Sequence, residues 1–143
     1  MQTIFVADIH GKFDAVLQLP AADMLIVGGD ITNFGVAADL ERFAAMALTR
    51  FARVLAVAGN CDPVNAESSL AATGCGINPD GRREGGVRFF GISGAPYHHG
   101  ATPFEWADDV NAEWLPQPAR NDGCLESEFM GFTQAGVHLP HPA

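Results

Sequence analysis

The stretch "RVLAVAGNCDP", Arg53 to Pro63, decides how the chain is read. An apolar run stops at Gly59, and Asn60, Cys61 and Asp62 crowd onto its lip before Pro63. The same grammar occurs twice upstream, in "TIFVAD" (Thr3 to Asp8) and in "MLIVGGD" (Met24 to Asp30). These runs are rich in β-branched or large apolar side chains with little alternation, the pattern of strands covered on both faces.

Helical spacing lies between the runs. Val36, Leu40, Phe43, Ala44, Ala47 and Phe51 fall on one helical face, with Asp39, Glu41 and Arg42 elsewhere. Phe13, Val16 and Leu17 predict a shorter helix after His10, and Asp62-Pro63 reads as an N-cap followed by proline, opening a helix over 64–72. This alternation predicts an α/β fold with a largely parallel sheet. Over Ile77 to Gly94, Asp80-Gly81 and Gly85-Gly86 are turn signals before the strand-like "VRFFGIS", so a hairpin is expected.

Beyond Gly100 the character changes. Five of the nine prolines lie in residues 101–143, and no period holds for more than a few residues. Glu105 to Trp114 is expected to form a short helix. The domain is placed at residues 1–110, with 111–143 as an atypical, irregular Pro-rich tail.

With 143 residues and 48% apolar side chains, the chain is long enough for one domain with a real core. The net charge of −9, with Lys12 the single lysine, argues against nucleic acid as a stable partner. Three cysteines (Cys61, Cys75, Cys124) without a CxxC pair argue against a structural zinc site. There is no signal-like leader and no apolar run of membrane-spanning length, so a cytoplasmic protein with reduced thiols and no membrane partner is expected.

The chemistry gathers where the runs stop. Asp8 and His10 are two apart, so on an extended strand they face one spot. Asp30 follows Gly28-Gly29, and Asn60 follows Gly59. Parallel strands place all three ends along one sheet edge, where open α/β folds bind ligands. Two carboxylates, an imidazole and a carboxamide in one place call for a cation, and they suit Mn²⁺, Fe²⁺, Zn²⁺ or Mg²⁺. A carboxylate such as Asp30 has enough lone pairs to bridge two ions.

Asp8-x-His10, Gly29-Asp30 and Gly59-Asn60, in this order and at these intervals, resemble the first three signatures of the calcineurin-like metallophosphoesterases. The likeness is greatest to their small single-domain bacterial and archaeal phosphodiesterases. It covers roughly residues 1–110, including "GDITNFG" and "GAPYHHGATPFEW". It implies a sandwich of two mixed β-sheets flanked by helices. It also implies two divalent metal ions, with Asp8 and His10 serving the first, Asp30 bridging and Asn60 serving the second. A hydroxide held between the ions would attack a phosphorylated small molecule or phosphodiester.

The sequence departs from this pattern twice. Relatives often carry a histidine after the metal-binding asparagine as leaving-group acid; Cys61 stands there and is read as a small packed side chain. An unperturbed thiol is poorly tuned as an acid at neutral pH, which favours diesters with good leaving groups over monoesters. The later Gly-His and Gly-His-x-His signatures do not occur. The late histidines are His98, His99, His138 and His141, and "GVHLPH" has the wrong spacing. The expectation is therefore a fold lacking its later strands, with the text after about Trp106 foreign to it, as a shifted reading frame would produce. An exposed sheet edge would then favour oligomers.

Two functions follow. One is metal-dependent phosphoester hydrolysis. The other is a catalytically inactive domain on the same scaffold, used in binding. A dinucleotide-binding half-domain is disfavoured, since no G-x-G-x-x-G follows the first strand. Asn33 is read either as orienting Asp30 or a substrate phosphate, or as a turn residue. His98-His99 are read as solvated loop residues and Arg82-Arg83 as the charged face of a hairpin turn.

Overall fold

Three parallel strands, β1 (Thr3–Val6), β2 (Met24–Gly28) and β3 (Arg53–Val57), form a sheet in the order β1-β2-β3 in the computed structural model. The register runs Phe5 to Ile26 to Leu55. The structure describes residues 1–97, 100–106, 129–133 and 136–138. Helices α1 (Phe13–Leu17), α2 (Ala37–Arg50) and α3 (Ala66–Ala72) follow the three strands in turn. The hairpin appears where expected, as β4 (Arg82–Glu84) and β5 (Val87–Gly91). Its two-residue turn, Gly85-Gly86, has positive φ at both positions (58° and 85°), as a primed turn requires.

The sheet is covered on both faces, which explains the unbroken apolar runs. On one face Leu25, Val27, Val54 and Ala56 pack with Phe13, Val16, Leu40, Phe43 and Ala47 of the helices. On the other, Met24, Ile26, Leu55 and Val57 pack with Ile77 and Phe89, so the hairpin sheet closes the sandwich. Each large apolar side chain so enclosed contributes about 1.5–3 kcal/mol. Arg53 of β3 ties the layers together at the rim, its Nε 3.2 Å from Glu84 Oε2 in β4. Arg82 is more than a charged turn residue: it pairs with Glu84 and donates to the Gly74 carbonyl at 2.6 Å.

Several expectations change. Among the described residues β1 is an edge strand, and it alternates exposed and half-buried residues, with Phe5 45% exposed. An edge strand has a neighbour on one side only, whatever its sequence. The third helix starts at Ala66, after Asn65, because Asp62 is engaged elsewhere. Glu105–Trp106 is strand β7, paired in parallel with β6 (Ala95–Pro96), and 107–114 of the expected helix lies outside the described residues. Glu105 is held by its neighbours, accepting the Gly100 and Thr102 N–H groups at 2.8 and 3.2 Å.

The stretch expected to be irregular holds two short strands, β8 (Phe129–Thr133) and β9 (Gly136–His138). β8 adds to β5 in parallel and β9 pairs antiparallel with β8, so the second sheet is mixed, in the order β4-β5-β8-β9. Backbone pairing with a distant strand supplies what the local pattern does not show. His98, His99, His141 and Cys124 lie outside the described residues. Among those described, no helix is long and apolar enough to cross a membrane.

Candidate metal centre

The loops after β1 and β2 continue side by side past the strand ends. Asp8 donates its N–H to the Gly29 carbonyl (3.2 Å), His10 to Asp30 (2.9 Å) and Gly11 to Ile31 (2.9 Å). Along this edge Asp8, His10 and Asp30 all adopt left-handed backbone, with φ of 54°, 46° and 50°. Asp8 and His10 thus meet by a different route from the extended i, i+2 geometry expected, since β1 has ended at Val6. Each such residue costs about 1–3 kcal/mol, and such strain clusters at functional sites.

His10 Nε2 lies 3.8 Å from both Asp8 Oδ1 and Asp30 Oδ2. Asp30 is 4% exposed, and its Oδ1 accepts the Cys61 N–H at 3.0 Å. Burial is the main force pushing the Asp30 carboxyl above its ordinary range. The Asp62 and Asp8 charges add to it, against the Cys61 N–H and His10. Asn60 is set by the end of β3, its carbonyl accepting the Phe104 N–H at 3.0 Å.

Glycine is required where these loops cross. A Cβ on Gly59 would sit 2.0 Å from Asp30 Oδ1 and 2.3 Å from Asp30 N, so Asp30 occupies the space a side chain would need. Gly29 has φ of 102°, and a Cβ there would sit 2.9 Å from the Gly59 backbone.

Asp62 is the residue that sequence reasoning misplaced. It is fully buried rather than capping a helix. Its Oδ2 accepts the Ile31 N–H (3.1 Å) and the Gly59 N–H (2.8 Å), and its Oδ1 accepts the Thr32 N–H (2.7 Å) and hydroxyl (2.8 Å). One carboxylate thereby clamps the Asp30 loop to the Asn60 loop. Its sequence signal is an aspartate three residues after the glycine that ends an apolar run.

Donor atoms of His10, Asp30 and Cys61 lie within 4.8 Å of one another. His10 Nδ1 is buried and has no hydrogen-bond partner among the described residues. A buried carboxylate facing further carboxylates, beside an imidazole nitrogen left unpaired, suits a divalent cation. Asp8 stands at the rim with its side chain 69% exposed, against His10 and outside that tight trio. Cys61 takes the place in the trio that sequence reasoning gave to oxygen donors. Its thiol is pushed up to about 11, first by burial, then by the Asp30 charge and a hydrogen bond to Asp30, with Asp62 and Asp8 adding to it. The group is a protonated donor to Asp30 at neutral pH.

The uncharacterized protein MJ1162 of Methanocaldococcus jannaschii is 30% identical to the chain over 112 residues, covering 76% of this chain and 50% of that protein. The chain thus spans about half the length of that relative. The calcineurin-like phosphoesterase family matches residues 1–133, which takes in the three strand ends and the sandwich through β8. The chain belongs to the calcineurin-like phosphoesterase family.

Proposed function

We propose that the chain is built for metal-dependent hydrolysis of a phosphoester, with diesters favoured over monoesters. The observation that carries this reading is the meeting of His10 with Asp8 and with buried Asp30 at 3.8 Å, in a chain of this family. Asp8 and His10 would hold one divalent ion, Asp30 would bridge and Asn60 would hold a second, with Mn, Fe, Zn and Mg all compatible with these donors. Such ions, when bound, neutralise phosphate oxygens and lower the pKa of water.

The protein's own part is placement. Asp62 and the Gly29–Gly59 crossing fix the Asp30 and Asn60 loops relative to each other, and Asp30 is kept out of bulk water. Cys61 stands where a leaving-group acid would be, and a thiol pushed up to about 11 transfers protons poorly at neutral pH. Substrates whose leaving group needs no protonation are therefore favoured.

The test is Mn²⁺-stimulated turnover of bis(p-nitrophenyl) phosphate by the purified chain. Turnover is expected, and Asp30→Asn is expected to lower it at least 100-fold. Activity that survives Asp30→Asn removes the bridging role. No turnover with any of the four metals favours a second reading, an inactive binding domain on this scaffold. That reading is supported by the absence of a Gly-His pair anywhere in the sequence.

A further inference from the structure

We propose that Phe34 is a specificity-determining residue of this site, its ring stacking on a flat aromatic group carried by the phosphoester. The proposal rests on the phosphoesterase reading and adds a substrate class to it.

Among the described residues, the non-glycine positions with positive φ are Asp8, His10, Asp30 and Phe34. Three of these belong to the candidate metal centre. Aspartate and histidine enter the left-handed region comparatively readily, whereas for a bulky aromatic residue it is a true outlier. Phe34, with φ of 57°, is that outlier. Packing is no compensation, because Phe34 is 56% exposed while Phe43, Phe51 and Phe89 are buried. A phenylalanine that costs the fold both in backbone strain and in exposed apolar surface is accounted for by contact with a ligand.

The position is also fixed. Phe34 donates its N–H to the Cys61 carbonyl at 3.0 Å, and the Cys61 N–H in turn holds Asp30 Oδ1. Two residues earlier, Thr32 is clamped by Asp62. The backbone beneath the ring therefore shares its supports with the candidate metal ligands. An aromatic side chain on a fixed backbone has only two side-chain torsions to restrict, so stacking orders little. Composition points the same way: eight Lys and Arg stand against 17 Asp and Glu, a net charge of −9 that does not favour gathering phosphate by charge. An apolar contact to the organic part of the substrate supplies affinity that charge does not.

The test is calorimetric binding of phenyl phosphate, a nucleoside 5′-monophosphate and methyl phosphate to the Mn²⁺-loaded full chain. The two aromatic esters are expected to bind about tenfold more tightly than methyl phosphate. In Phe34→Gly, which removes the ring and suits the left-handed backbone, the affinities should converge; in Phe34→Trp the preference should persist. If the nucleotide shows the larger preference, the stacked group is a nucleobase; if phenyl phosphate does, it is a simple aryl group. Equal affinities in the parent chain, a preference that survives Phe34→Gly, or an equal loss for all three ligands would overturn the proposal. Binding of none of the three by the loaded chain also overturns this proposal, whereas the phosphoesterase reading stands or falls on turnover of bis(p-nitrophenyl) phosphate.

Discussion

Asp62 holds Thr32 twice with one oxygen, through the backbone N–H at 2.7 Å and the hydroxyl at 2.8 Å, across 30 positions of sequence. Its second oxygen takes the N–H groups of Ile31 and Gly59. All these donors are otherwise enclosed, so losing the acceptor leaves them unpaired. Asp62→Ala is expected to cost about 3–5 kcal/mol, read as a lowered urea midpoint with unchanged slope. Asp62→Asn, which keeps one acceptor oxygen, should cost less. A loss below about 1 kcal/mol for Asp62→Ala would show that the clamp is replaced by water.

Gly59→Ala tests the loop crossing. With Asp30 Oδ1 only 2.0 Å from the new Cβ, either Asp30 leaves its place or the Asn60 loop does. Overpacking of this kind costs about 1–3 kcal/mol. Mn²⁺ affinity, measured by titration, is expected to fall more than tenfold, since a ligand is displaced with the backbone. Unchanged affinity would separate the crossing from the metal centre.

Asp30 should oppose stability when no metal is present. Its carboxyl is pushed above the ordinary 3.8, so the folded chain holds this proton more tightly than the unfolded chain. Its favourable contribution is complete below about 3.8 and is lost as pH rises through the raised value. Asp30→Asn is therefore expected to raise the melting temperature in chelator at pH 7, with the gain shrinking towards pH 4. Saturating Mn²⁺ should reverse the order of the two proteins. A variant no more stable than its parent in chelator at pH 7 would contradict the burial argument.

Cys61 should be a sluggish thiol in the metal-free chain. Raised to about 11, it carries roughly a thousandth of its population as thiolate at pH 8. Iodoacetamide labelling, followed by peptide mass spectrometry, is expected to rise about tenfold per pH unit between pH 7 and 10. In Asp30→Asn the same labelling should quicken, because the largest charge acting on the thiol is gone. Fast labelling at pH 7 would mean a reactive cysteine.

Much of this was legible in the residues because it is local. β2 and β3 are continuous apolar runs enclosed by two layers, α2 shows its buried stripe of Leu40, Phe43, Ala44 and Ala47, and Gly85-Gly86 turns the hairpin. What escaped depends on partners far along the chain. "TIFV" reads like its sister strands, yet it lies at the edge with Phe5 half in water. Asp62-Pro63 has the grammar of a helix start, but the Asp62 side chain is committed to a loop 30 residues away. β8 gains its strand character from β5, and β9 from β8, which "FMGFT" alone does not announce. Strand-end spacing points to Asp8, His10 and Asp30, which the structure brings together, and to Asn60, whose part as a ligand is a proposal; the left-handed turns that bring Asp8 and His10 together have no such signal.

The Asp62 clamp also bears on how an ion would arrive. The Asp30 and Asn60 loops are already joined by hydrogen bonds that involve no ion. The frame around Asp30 is made of the chain's own hydrogen bonds. Metal uptake should then be a single bimolecular capture, its rate linear in ion concentration and set by the shedding of hydration water, with far-ultraviolet circular dichroism flat throughout.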